Sequence, residues 1–504
     1  MIWKMAMKIK RAKRIAFTLL GLLGGVVAAT AADPAYWSWA QMPPMGWNSW
    51  DCYGAGVWES NVIANADYMD TNLKSHGWNL VTIDIQWYEP LAHTDRYRRG
   101  AWVQMDEYGR LLPAPNRFPM TAETHSFKAM GDYLHAKGLK FGLHLMRGIP
   151  RQAVDNTNGT PILGTSYKAA DIADKAHSCF WNQDMYGVDM TKPGAQEYYD
   201  SVFALMASWG LDLVKVDDLA GHRAEIAAIR QAIDKCGRPI LLSISMGSGP
   251  DDGAFLETHA NQWRISFDFW DNWPALYNQF ENLHGHQPFQ GPGHWPDADM
   301  IPVGHLQVWK TDPPHLTLFT KDEQTTVMTL WSITRSPLIL GAELPDNDAF
   351  TLSLLTNDEV IAVNQASLNN HQVYSVSNHV AWVADVPNSK DKYVALFNTS
   401  PPPPPGSGRR RGGFGGPSGG APGTNAPATN APVAAATTTN APVVIDPAAK
   451  LPAEVSLTLA DIGITASVTV RDLWNQKDFG SATGTVSEMV NSHGAVLLRI
   501  HPDN

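Results

Sequence analysis

The chain has 504 residues, 44% of them hydrophobic, so it can bury a large core and has length for more than one domain. Its net charge of −11 makes it a poor nucleic-acid binder and fits a neutral substrate. Three cysteines, Cys52, Cys179 and Cys236, allow at most one internal disulfide, and they carry no metal-site spacing.

The N-terminus opens with Lys4, Lys8, Lys10, Arg11, Lys13 and Arg14, followed by an apolar run from Ile15 to Ala29 and the small residues Ala29-Thr30-Ala31. Residues 1–31 therefore read as a cleavable signal peptide, and the mature protein is expected to be secreted or periplasmic, without stable membrane association. The apolar run is short and broken by glycine for a membrane span. Asn158-Gly159-Thr160 and Asn398-Thr399-Ser400 fit glycosylation sequons.

From there to about residue 365, helix-like segments repeatedly end at glycine and lead into apolar strands. His76-Gly77 precedes Leu80 to Asp84, Lys137-Gly138 precedes Leu139 to Leu145, Trp209-Gly210 precedes Leu211 to Asp217, and Cys236-Gly237 precedes Ile240 to Ser245. Alternating helix and continuous apolar strand implies an α/β fold whose parallel sheet is covered on both faces. Over residues 32–365 this predicts a (β/α)8 TIM barrel, with an open doubly wound sheet as the alternative. Residues 366–504 read as a C-terminal antiparallel β-sandwich domain, with short strands near His379–Ala384, Lys392–Phe397, Ala466–Val470 and Gly494–Leu498. Residues 401–450 interrupt it with five consecutive prolines, Arg409-Arg410-Arg411 and Thr-Asn-Ala-Pro three times, a low-complexity composition expected to be a disordered insertion.

Two strand-like runs end in an acid: Leu211 to Asp217, and Trp263-Arg264-Ile265-Ser266-Phe267-Asp268. Carboxylates at the C-terminal edge of barrel strands form the pair that cleavage of a glycosidic bond requires. Lys215 and Arg264 beside them should favour ionised carboxylates. The simpler role for a strand-end Asp is a turn or helix cap, and that role suits Asp218. The nineteen Trp include candidates for stacking on sugar, although most Trp in any globular protein fill core volume.

Four further segments carry a resemblance. They are Pro44-Met45-Gly46-Trp47-Asn48-Ser49-Trp50, Gly291 to Met300 (Gly-Pro-Gly-His-Trp-Pro-Asp-Ala-Asp-Met), Leu330-Trp331 with Ser336 to Gly341, and Asn357 to Gln365. In this order the chain resembles glycoside hydrolase family 27, the α-galactosidase and α-N-acetylgalactosaminidase family. The resemblance implies a barrel with a C-terminal β domain, no cofactor and no metal, and a carbohydrate substrate (an oligosaccharide, polysaccharide or glycoconjugate). It casts Asp217 as nucleophile and Asp268 as acid/base in a retaining reaction, with carboxyl groups about 5–5.5 Å apart. It casts Asp84, Lys215 and Arg264 as sugar ligands and Trp47 as the stacking face. Ionic orientation of the acids is the plainer role for the two cations, and core packing for Trp47. The Asp297/Asp299 pair is read as structural.

The chain departs from the family pattern around the sugar. Two adjacent acids are usual where this chain has Asp84-Ile85, and Ile85 would leave a C6 hydroxyl unpaired. A Tyr is replaced by His144, a segment around the C2 substituent by Ser243 to Gly247, and a disulfide Cys by Leu219. The expected activity is α-galactosidase. β-L-Arabinopyranosidase and isomalto-dextranase-like activity are the alternatives within the scaffold, and a non-catalytic sugar-binding protein is the alternative outside it.

Overall fold

The structure is a computed structural model. It describes residues 33–503 apart from 95, 99, 246 and 405–450. The expected signal peptide and nearly all of the low-complexity insertion thus lie outside the described residues.

Eight short parallel strands form the first sheet: β1 (Met45–Asn48), β2 (Leu80–Ile83), β3 (Lys140–Met146), β4 (Leu213–Asp217), β5 (Leu241–Ile244), β6 (Gln262–Arg264), β7 (Trp295–Asp297) and β8 (Leu338–Leu340). Their spatial order is β7-β6-β5-β4-β3-β2-β1-β8. Just past β7, Ile301 bridges Leu340 of β8 in parallel, and its N–H donates to Ile339 O at 2.7 Å, which closes the sheet into a barrel. The connections carry α1 (Glu59–Asn72), α2 (Lys128–Ala136), α3 (Ala195–Ser208), α4 (Arg223–Lys235), α5 (Trp273–His286) and α6 (Lys321–Ile333), and α7 (Asp358–Ala366) follows β8. Gly77, Gly138, Gly210 and Gly237 all take positive φ, which ends each helix and reverses the chain into the next strand.

Side-chain alternation sorts the barrel interior into layers. Leu80, Leu213, Leu241 and Ile339 pack together at one level. Two residues further along their strands, Thr82, Lys215 and Ser243 line the interior with Gln262, Arg264 and Asp297. The interior therefore turns from apolar to polar toward the C-terminal ends of the strands. Among the described residues, eight Trp (47, 78, 87, 209, 263, 295, 331 and 382) are fully buried.

The C-terminal strands are β9 (Leu368–Val376), β10 (His379–Asp385), β11 (Lys392–Asn398), β12 (Ala453–Thr458), β13 (Val468–Asp472), β14 (Lys477–Ala482), β15 (Thr485–Val490) and β16 (Ala495–Pro502). Six form an antiparallel sheet in the order β9-β10-β11-β16-β13-β14, and β12 pairs with β15 in a second. Ala381, Val383, Val394 and Leu396 face Val455, Leu457, Val486 and Val490 across the sandwich core. The alternate residues Trp382, Ala395 and Phe397 join the core of the barrel. Burial on both faces is why β10 and β11 read as continuous apolar runs. The seam also holds polar contacts: Trp273 stacks on His493 at 3.6 Å, and His493 Nδ1 lies 2.8 Å from Glu323.

One expectation about the strands needs correction. The run from Trp263 to Asp268 is not one strand, because pairing with β5 stops at Trp263 and pairing with β7 at Arg264, which leaves Asp268 in the following loop. All three cysteines are free thiols.

Candidate active site

The C-terminal ends of the barrel strands gather a charged cup. Asp84 follows β2, and its Oδ2 accepts hydrogen bonds from Asn48 Nδ2 at 2.7 Å and Lys215 Nζ at 2.9 Å. Lys215 and Asp217, two apart on β4, point to the same side, as strand periodicity requires. His144 on β3 places Nε2 at 3.4 Å from Asp217 Oδ2, while its Nδ1 has no partner among the described residues. From β6, Arg264 reaches Asp268 at 2.8 Å and Asp299, beyond β7, at 3.5 Å. Asp299 is also held by the backbone N–H groups of Phe269 and Met300.

The two principal acids lie in opposite electrostatic environments. Burial opposes ionisation of Asp217. The hydrogen bond and charge of His144, with the charges of Arg264 and Lys215, outweigh it and hold the carboxyl well below the usual range. For Asp268, loss of hydration in the cup comes first; together with the charges of Asp299 and Asp217 it overcomes Arg264 and raises the pKa. Burial also works against Asp84, but Lys215 and His144 keep it low. Asp297, buried beside Asp299, is pushed up to about 7. One acid held ionised beside another biased toward its protonated form is the arrangement that acid/base chemistry on a glycosidic bond uses.

The structure therefore brings Asp84, His144, Lys215, Asp217, Arg264 and Asp268 to one place. Ile85, next to Asp84, is 1% exposed and offers only methyl and methylene groups. Trp47 does not join them: it is fully buried, and its Nε1 donates to Ala342 O at 2.8 Å, so it packs the core. Three residues on, the part-exposed Trp50 stacks on Tyr97 at 6.0 Å, and Tyr97 in turn lies 5.4 Å from Trp181. Burial and the charges of Asp84, Asp217 and Asp268 raise the Tyr97 hydroxyl pKa.

Three site residues were missed from sequence. Asp299, read as structural, contacts Arg264; it lies past the end of β7 with φ of 83°, where strand periodicity carries no signal. Asp51 is 1% exposed, with Oδ2 unpartnered among the described residues, and burial with the charge of Asp299 raises its pKa. A Cβ at position 341 would lie 2.1 Å from that oxygen, so Gly341 makes room for it. Tyr97 comes from a long loop that has no sequence periodicity. Asp218 turns away to an ion pair with Arg147 at 2.7 Å. Among the described residues, no group of three or more His, Cys, Asp or Glu is arranged to hold a metal ion.

A barrel joined to a β-sandwich, with paired acids in the barrel mouth, defines a class of glycosidases, and comparison with known proteins narrows it. A family model described as alpha galactosidase A matches residues 169–366, and one for the alpha galactosidase C-terminal beta sandwich domain matches residues 433–500. The crystal structure of a family 27 β-L-arabinopyranosidase from Geobacillus stearothermophilus, in complex with arabinose, is 44% identical. It covers 94% of this chain and 100% of its own, with a TM-score of 0.81. Alpha-galactosidase A of Cellvibrio japonicus is 28% identical over 75% of this chain and 81% of its own. The alpha-galactosidase of Cyamopsis tetragonoloba is 24% identical over 92% and 87%. This chain belongs to glycoside hydrolase family 27. It is a glycoside hydrolase, and its substrate is a carbohydrate.

Proposed function

We propose that the enzyme removes terminal β-L-arabinopyranosyl residues with retention, using Asp217 as nucleophile and Asp268 as acid/base. Asp217 attacks the anomeric carbon while Asp268 gives its proton to the departing glycosidic oxygen, leaving a glycosyl ester on Asp217. Asp268, now ionised, takes a proton from water, and the water oxygen displaces Asp217 from the sugar. Lys215 and Arg264 balance the acids and orient Asp84 and Asp268.

The observation that carries the choice of sugar is Ile85. α-D-Galactose and β-L-arabinopyranose present the same hydroxyl pattern and differ by the C6 hydroxymethyl group. Beside Asp84, Ile85 gives that hydroxyl no partner, a penalty that the pentose escapes. The 44% identity to a β-L-arabinopyranosidase supports the same reading. The second reading, α-galactosidase, draws support from the matched family models and from the relatives at 24% and 28% identity.

Nitrophenyl substrates separate the two. Wild-type kcat/KM is expected to be higher for the β-L-arabinopyranoside than for the α-D-galactopyranoside. Ile85→Asp should move that ratio toward galactoside by about 10- to 100-fold. Wild-type preference for the galactoside would overturn the pentose assignment.

A pH dependence follows from the two acids. Glycosylation needs Asp268 protonated, so kcat/KM for a poor leaving group falls as pH rises through its elevated pKa. Asp217, held low, stays ionised across the same range. With a dinitrophenyl leaving group, which departs without protonation, the alkaline limb should disappear. Persistence of that limb would assign it to another group. Export is part of the proposal, and N-terminal sequencing of the mature enzyme should begin near Ala32.

A further inference from the structure

Phe267 is 81% exposed, although Ile265 and Phe269 on either side of it are buried. It directly precedes Asp268 in the loop after β6. A phenyl ring in water leaves a large apolar surface uncovered. The exposure is not isolated. Asp271 Oδ2 accepts from Leu318 N–H at 2.8 Å and lies 3.0 Å from His315 Nε2, which ties the loop after β7 to this segment. On that loop Leu316 and Leu318 are 60% and 72% exposed. Phe180, on another loop, is 87% exposed. Its neighbour Trp181 packs on Tyr97, which stacks on Trp50. A charged floor is thus bordered by loops that carry exposed apolar side chains.

We propose that Phe267 is the platform of a leaving-group subsite, which accepts a ring with an apolar face. Such a face belongs to the C–H side of a second pyranose or to an aryl aglycone. The proposal rests on Asp268 as acid/base. A group that protonates the glycosidic oxygen lies within hydrogen-bond reach of it, so the first ring beyond that oxygen is within range of the adjacent side chain. Stacking there covers both apolar faces and fixes the leaving group for in-line departure.

The test compares Phe267→Ala with wild type on three substrates of one glycone: a disaccharide, a dinitrophenyl glycoside and a glycosyl fluoride. The first two should lose roughly tenfold in kcat/KM, chiefly through KM. The fluoride, which has no ring to bind, should change by less than about twofold, and Phe267→Trp should restore the other two. A larger loss on the disaccharide assigns the subsite to a sugar, and a larger loss on the aryl glycoside assigns it to an aromatic aglycone. Equal losses on all three would overturn the proposal, since Phe267 would then support the whole site. So would a loss confined to the disaccharide with an altered pH profile, which would mean that Phe267 acts through Asp268, and so would no loss at all. A wild type inactive on every substrate would instead bring down the glycosidase roles assigned to Asp217 and Asp268.

Discussion

Asp217→Ala is expected to lose about 10⁴-fold or more in kcat while keeping its fold, because it removes the atom proposed to form the covalent bond to sugar. Azide enters the vacated space and attacks the anomeric carbon directly, so the rescued product should be a glycosyl azide of inverted configuration. The neighbouring residue sharpens the test. Asp218 belongs to a different network, paired with Arg147, and takes a left-handed backbone with φ of 62°. Asp218→Ala should therefore cost stability, and azide should rescue nothing. Near-wild-type turnover in Asp217→Ala would remove it from the chemistry, as would an azide product of retained configuration.

The second large effect is on stability. Arg147, just beyond β3, donates Nε and Nη2 to Asp218 Oδ2 at 3.1 and 2.7 Å, Nη1 to Glu225 at 2.7 Å, and Nη2 to His177 O at 2.7 Å. Tyr199 OH donates to the other oxygen of Glu225 at 2.5 Å. The side chains of Arg147, Asp218 and Glu225 are only 2%, 12% and 6% exposed. Arg147→Met strands two carboxylates in a poorly hydrated site, which costs about 3–5 kcal/mol. Denaturant unfolding should show a lowered midpoint with an unchanged slope. Adding Glu225→Gln, which removes one stranded charge, should recover part of the loss. A loss under about 1 kcal/mol would mean that water reaches the carboxylates.

These two neighbours show what was legible in the sequence. A glycine after each helix and an apolar run after each glycine are local signals, set by backbone sterics and by burial on both faces of a parallel sheet. The barrel could be read from them. Lys215 and Asp217 share a face by strand periodicity alone, so their meeting needed no tertiary information. Trp47 and Trp50 mark the limit. Both stand in the same short motif, and the choice between them depends on β1 placing Trp47 against Ala342, while the turn after it swings Trp50 toward Tyr97. Asp268 was expected at a strand end, but β6 stops at Arg264, where its neighbours cease to pair.

The order of residues by itself determined the repeating helix-strand pattern and the apolar β domain after it, because each depends on contacts within a few residues, while the roles expected of the acids came from the family resemblance. Only the tertiary structure decided the company those acids keep. Asp51, Tyr97 and Asp299 come from separate loops, and their effect depends on distances that close only when the barrel does. Asp217 and Asp268 are chemically identical side chains. What separates them is His144 and Lys215 around one, and lost hydration beside the charges of Asp299 and Asp217 for the other, a difference of field that no local sequence pattern encodes.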